Sequence, residues 1–458
     1  MLVRLSCLGL IAALSLLAAS RPAAAQEWLA DRERAEGRGI RLGNFELHPG
    51  IGSEVGYDSN VFLSDSDEEQ DSMVLRVAPH IYLSTLSGAR LQGEEPRFTL
   101  RTGLNGSLRH YFATEAGTDL AVGQDLTFAW NATSIFRLEI YDSFSRSIDP
   151  FTEPVAPAVT GAEPEDISFA RDTLGAGIRL QLSSPGKLVK GGIGYRFDID
   201  HFEDDRFASN RSRAHTISAD DSWEFLPKTA LFWNGSIQFH EFTNPAGAIG
   251  ERNDSTIVST KLGINGALTQ RIGFTVAAGY SAGFFADDND YENPIAQVEL
   301  RWKPQENLLW ALGYDRETNP SFQGNFANMD RVKTRLQAML GGVVVLAANA
   351  DLTFVDFGRD DLLQSERNDV QLLTRLSGEY RVVDWFAITG QLGYLQNFTD
   401  YEYAVDDPAG MDPAGPGGVD LAPGEDPETG EPIGRDDPIL DAAAYKRFEA
   451  WLGIRAFL

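Results

Sequence analysis

The sequence predicts an all-β fold, a transmembrane antiparallel outer-membrane β-barrel of about 18 strands. Three observations predict it. Beyond residue 50, apolar and polar residues alternate with a period of two in segment after segment. No apolar run in that region is long enough for a spanning helix. The connections between segments are alternately tight and long.

At the N-terminus, Arg4 precedes an apolar run from Leu5 to Ala19, and Arg21-Pro22 leads into the small-residue site Ala23-Ala24-Ala25. This is the layout of a secretory signal cleaved near Ala25, and the run is shorter than the roughly 20 residues a membrane anchor needs. Residues 26–49 read as a short periplasmic extension, with a brief helix over 27–36, and residues 50–458 as the barrel. Nothing ahead of the first strand resembles the globular plug of an energised transporter.

Alternation defines the strands. From Ile272 to Tyr280 one face carries Ile272, Phe274, Val276, Ala278 and Tyr280, and the other Gly273, Thr275, Ala277 and Gly279. Near residue 375, Val370, Leu372, Thr374, Leu376 and Tyr380 alternate with Asp369, Gln371, Arg375, Ser377, Glu379 and Arg381. Such faces suit lipid on one side and water on the other. The expected strands of the first half are 50–57, 72–86, 96–112, 118–130, 134–146, 167–183, 188–201, 211–225 and 229–242. Those of the second half are 254–268, 271–285, 292–303, 307–316, 330–340, 345–357, 367–381, 385–398 and 442–457. Tight turns such as Ser184-Pro185-Gly186, Leu226-Pro227-Lys228 and Lys303-Pro304-Gln305 follow even strands, and longer polar loops follow odd ones. The even number and this bias place short turns in the periplasm and long loops outside.

Five Gly-Tyr pairs supply Tyr57, Tyr195, Tyr280, Tyr314 and Tyr394, all on odd strands approaching the long loops. A tyrosine there suits an aromatic girdle, its ring in acyl chain and its hydroxyl among headgroups. The longest loop, 399–441, is rich in Pro, Gly and acid, with Asp406-Asp407, Glu425-Asp426 and Asp436-Asp437 against the single base Arg435. It and the run Asp65-Ser66-Asp67-Glu68-Glu69-Gln70-Asp71 read either as solvated loops or as partners of divalent cations at the lipopolysaccharide surface. Neither has EF-hand spacing.

Composition limits the function. Asp plus Glu total 67 against 39 Lys plus Arg, a formal charge of −28, which excludes a nucleic-acid partner needing a basic face. The one cysteine, Cys7, lies in the signal, so no disulfide or thiolate metal site is expected. His48, His80, His110, His201, His215 and His240 show no HExxH spacing and no nucleophile–base set, so no enzyme, cofactor or metal centre is read.

The water-facing positions define the candidate site. They carry Arg76, Arg97, Arg101, Arg109, Arg171, Arg179, Arg331, Lys333, Arg335, Arg375, Arg381, Arg447 and Arg455, with Asp125, Glu139, Asp198, Glu299, Glu379 and Glu449 on the same face. These bases either hold carboxylates or phosphates of a passing polymer or pair with the wall's own acids, notably Glu379 and Glu299. Tyr82, Tyr111, Trp385 and Trp451 are expected to point inward, as wall filling or as platforms for sugar rings.

Two segments carry resemblances. Phe448, Ala450, Leu452, Ile454, Ala456 and Leu458 recur at every second position to the C-terminus, which looks like the terminal strand read by the outer-membrane barrel assembly machinery, with Leu458 in place of the usual Phe. The stretch from Phe45 to Gly52, followed by Gly56-Tyr57-Asp58-Ser59-Asn60-Val61-Phe62, resembles the opening of the outer-membrane barrels grouped as beta-barrel porin 2. That resemblance implies a conduit for secreted polysaccharide working with a periplasmic polysaccharide export protein, and it transfers no binding residue. A diffusion porin for small solutes and a structural or surface-motility component of the envelope are the alternatives.

Overall fold

The computed structural model describes residues 39–64, 69–85, 96–114, 117–148, 170–243, 253–286, 290–321, 325–358, 367–399, 402–404, 440–442 and 444–458. The expected signal, the helix over 27–36, the acids at 65–68 and the paired acids of the loop 399–441 lie outside these residues.

Eighteen strands form the wall. The first six are β1 (Phe45–Asp58), β2 (Ser72–Thr85), β3 (Phe98–Tyr111), β4 (Thr118–Asn131), β5 (Phe136–Ser147) and β6 (Arg171–Ser183). Next come β7 (Val189–Phe202), β8 (Ser212–Leu226), β9 (Thr229–Phe242), β10 (Ser255–Ala267), β11 (Ile272–Phe285) and β12 (Tyr291–Gln305). The last are β13 (Leu308–Pro320), β14 (Phe326–Leu340), β15 (Val344–Phe357), β16 (Asn368–Val383), β17 (Phe386–Phe398) and β18 (Tyr445–Phe457). Each pairs antiparallel with its chain neighbours, and β1 closes on β18 from Gly50 opposite Phe457 to Asp58 opposite Glu449. Closure leaves no open edge, which is what lets a sheet cross a bilayer.

β1 begins at Phe45, not at residue 50, so the barrel takes in the end of the expected extension. Ile40–Leu42 folds back as a short strand against Phe45–Leu47. Turns after even strands are two to five residues long, except the connection 86–97 after β2, which breaks the expected bias. The β14–β15 turn shows how sequence sets such a turn. Gly341 and Gly342 have φ of +57° and +71°, left-handed conformations that this three-residue turn demands and glycine adopts without a Cβ clash.

The outward face is the apolar one. Leu104, Leu108, Ile193, Leu262, Val276, Leu376 and Leu452 are exposed on it, Leu452 to 68 %. In water this continuous surface would be costly, whereas lipid solvates it. Two aromatic belts bound it. Toward the turns, Trp130, Trp223, Trp233, Trp302, Trp310 and Trp385 lie exposed. Toward the loops, the five Gly-Tyr tyrosines share the outward face. Four of their hydroxyls reach polar partners: His215 Nδ1 for Tyr195 at 2.8 Å, Glu292 for Tyr280 at 2.6 Å, Asp330 for Tyr314, and Gln396 Oε1 for Tyr394 at 2.6 Å. Tyr57 bonds Asp71. Trp385, expected inward, lies in the two-residue turn between β16 and β17 and is exposed there, outside the alternation of either strand.

Candidate functional site

The lumen divides into a packed mouth at the loop side and a charged middle. At the mouth the chain after β1 turns inward. Asn60 is fully buried: its Nδ2 donates to the carbonyls of Ser64 at 2.7 Å and Lys446 at 3.1 Å, and its Oδ1 accepts from Ser64 N at 3.0 Å. This latch sets Val61 against the lumen-facing Val74, Tyr111 and Trp451, and brings Leu63 to the wall of a cavity below. Elsewhere at the mouth, Phe202 packs on Phe207, at the kink of the six-residue 3₁₀ segment Asp205–Asn210, and Ile257, Phe285 and Tyr291 form another apolar cluster.

The motif around Gly56 acts at this end as a stitch between the first and last strands. Trp451 lies across Gly56, where a Cβ would come within 2.3 Å of the ring. Asp58 accepts from Arg447 Nε at 2.9 Å, Ser59 exchanges backbone and side-chain bonds with Phe448, and Asn60 reaches Lys446. Tyr111 and Trp451, weighed as sugar platforms, are buried in the cluster with Val61 instead. Tyr82 faces inward beside His80, ring centroids 5.3 Å apart.

In the middle most of the expected bases meet acids. Arg76 Nε donates to Glu54 at 2.8 Å, with its guanidinium 4.2 Å from the Trp451 ring centre. Arg179 bonds Asp220, Lys333 bonds Asp315, and Arg331 lies 3.6 Å from Glu317, while at the mouth, opposite Phe202, Arg171 bonds Asp200 at 2.9 Å. Arg101 and Arg109 face inward on β3, and Arg109 stands directly opposite Arg76. Arg97 is not a wall residue: β3 starts at Phe98, and Arg97 is exposed on the connection before it.

The expected partners Glu379 and Glu299 are engaged elsewhere. Glu379 takes Arg455 at 3.3 Å and Arg381 at 4.0 Å, at the turn end, where Arg381 is buried over the Phe457 ring. Glu299 takes Arg301 at 2.8 Å. Neither meets Arg331, Lys333, Arg335 or Arg375 as a partner.

Arg335 and Arg375 have no carboxylate partner among the described residues. Arg335 Nε donates only to Asn349 Oδ1, at 3.0 Å. The Arg375 side chain makes neither hydrogen bond nor ion pair there. It borders two cavities, one of about 480 Å³ and one of about 590 Å³. The first is bordered by Arg76, Arg109, Arg331, Arg375 and Arg447 against Asp351 and Glu449. The lumen is therefore locally basic inside a strongly acidic chain, a focusing arrangement for anions.

No known family's sequence profile matches this chain, and comparison with characterised proteins finds no relative. Solved structures similar to it are membrane barrels. The FrpB iron transporter from Neisseria meningitidis, in its F5-1 apoprotein form, aligns at 9 % identity over 94 % of this chain and 82 % of its own, with a TM-score of 0.46. Pseudomonas aeruginosa OpdQ aligns at 9 % identity over 91 % of this chain and 98 % of its own, TM-score 0.44, and the copper transporter OprC at 9 % over 79 % and 63 %, TM-score 0.42. At this level of identity and overlap the likeness carries neither cargo nor mechanism.

Proposed function

We propose that the chain is a passive conduit of the bacterial outer membrane for anionic cargo, with a secreted acidic polysaccharide as the favoured cargo. The observation that carries this reading is the pair Arg335 and Arg375, two lumen guanidiniums with no carboxylate partner among the described residues. A buried wall would neutralise such charges, whereas a hydrated passage leaves them for a ligand's carboxylates or phosphates. An eighteen-stranded barrel is wide enough for an aqueous passage. The reading brings with it outer-membrane lipid and lipopolysaccharide around the apolar belt, the barrel assembly machinery at β18, and a periplasmic polysaccharide export protein at the turn side. It involves no covalent chemistry.

A second reading, a diffusion porin for small anions, is favoured by the inward turn from Asn60 to Ser64, which narrows the loop side. A clean deletion separates them. The first reading expects loss of surface polysaccharide with small-solute uptake intact. Normal polysaccharide with impaired uptake of small anions selects the second, and loss of surface motility alone contradicts both. The mature protein is expected in the outer-membrane fraction, with heat-modifiable migration.

A further inference from the structure

We infer that the mid-lumen holds two adjoining anion subsites sharing Arg375, so that it recognises an acidic saccharide with charges on consecutive units over a lone carboxylate. This rests on the anionic-conduit reading and adds a substrate class to it.

Register gives the spacing. Directly opposed positions run across the wall as Arg301, Ala311, Arg335, Asn349, Arg375 and Gly393, from β12 to β17. Arginine occupies every second strand of this row from β12 to β16, and shorter residues stand between. Strands lie about 4.8 Å apart, so Arg335 and Arg375 leave the wall about 10 Å apart, near the length of a disaccharide unit. The short Asn349 stands between them and accepts from Arg335 Nε at 3.0 Å.

The cavities repeat the pattern. Arg375 is common to both. The larger adds Arg335, Lys333 and Arg301, and the smaller adds Arg331, Arg76 and Arg109. Each volume suits a sugar unit with its water. Of the bordering acids, Glu299 is bound by Arg301 and Glu449 by Arg447, and of the bordering bases Arg76, Arg331 and Lys333 are held by Glu54, Glu317 and Asp315, which leaves Arg335 and Arg375 against Asp351, common to both cavities. A carboxylate in either cavity draws on Arg375, and a second carboxylate one or two units along the same chain finds the other cavity at high effective concentration.

Titration calorimetry of the folded barrel in detergent micelles tests this with galacturonic acid and trigalacturonate. The trimer should bind about tenfold tighter or more than the monomer. R375Q should bring the trimer close to the monomer, and R335Q should do so in part, both variants retaining heat-modifiable migration. Equal binding of monomer and trimer would overturn the inference, as would an R375Q protein that keeps the trimer's full advantage. Flux of anionic saccharides through the barrel in liposomes separates the two claims. Flux without trimer preference leaves the conduit and removes the subsites, and preference without flux does the reverse.

Discussion

Arg447 and Arg375 border the same cavity, and their surroundings are opposite. Arg447 sits where β18 meets β1, nearly buried, bonded to Asp58 and, at 3.1 Å, to Glu449. Arg375 stands in the middle of β16 with no partner among the described residues. A guanidinium taken out of water must be paired, while one left at a hydrated wall keeps its donors for whatever passes. The comparison therefore separates an arginine that closes the barrel from one whose side chain stands without a partner among the described residues.

The largest effect that sharpens this contrast is expected at the seam. Asp58→Ala leaves Arg447 buried without its main counter-charge, and should cost about 3–5 kcal/mol in urea unfolding of the lipid-embedded barrel. Arg375→Gln should change the same measurement by no more than about 0.5 kcal/mol. Similar costs for the two would erase the distinction.

Next in size is the contrast between faces. Val276→Arg or Leu372→Arg should cost about 2–4 kcal/mol near the bilayer midplane, and Gln371→Arg close to nothing, because the first two positions meet acyl chains and the third borders a cavity. A costly Gln371→Arg with a harmless Leu372→Arg would mean that β16 is displaced by one residue.

The smallest effect concerns the paired lumen bases. Asp220→Asn removes the partner of Arg179, a pair about one-third exposed, and should cost about 0–1 kcal/mol. What it should change is chemistry: the released Arg179 adds an available cation, and the barrel's preference for anions rises slightly in bilayer recordings. A large stability loss there would put Arg179 with Arg447 rather than with Arg375.

Much of this was legible in the sequence, because alternation is a local signal. Every one of the eighteen expected segments overlaps a wall strand, and the Gly-Tyr tyrosines fall on the outward face together, since parity within a strand needs only a few residues to read. The tryptophan belt was equally readable, as Trp130, Trp223, Trp233, Trp302, Trp310 and Trp385 all stand near tight turns. It was obscured by the inward expectation for Trp385, which counted a turn residue as part of a strand. Ion-pair partners are a different kind of fact. Arg179 on β6 finds Asp220 on β8, two strands away, through strand tilt and side-chain reach that no local pattern records. The inward latch at Asn60 was hidden for a similar reason, since its partner Lys446 lies at the opposite end of the chain.

The reversal potential of the purified barrel in a planar bilayer under a potassium chloride gradient tests the central claim, that the middle of the lumen offers unpaired cations to anionic cargo. The account predicts an anion-selective wild type and a clear shift toward cation selectivity when Arg335→Gln and Arg375→Gln are combined, with Arg171→Gln nearly silent because Arg171 is held by Asp200. A cation-selective wild type, or a double variant indistinguishable from it, would contradict the account.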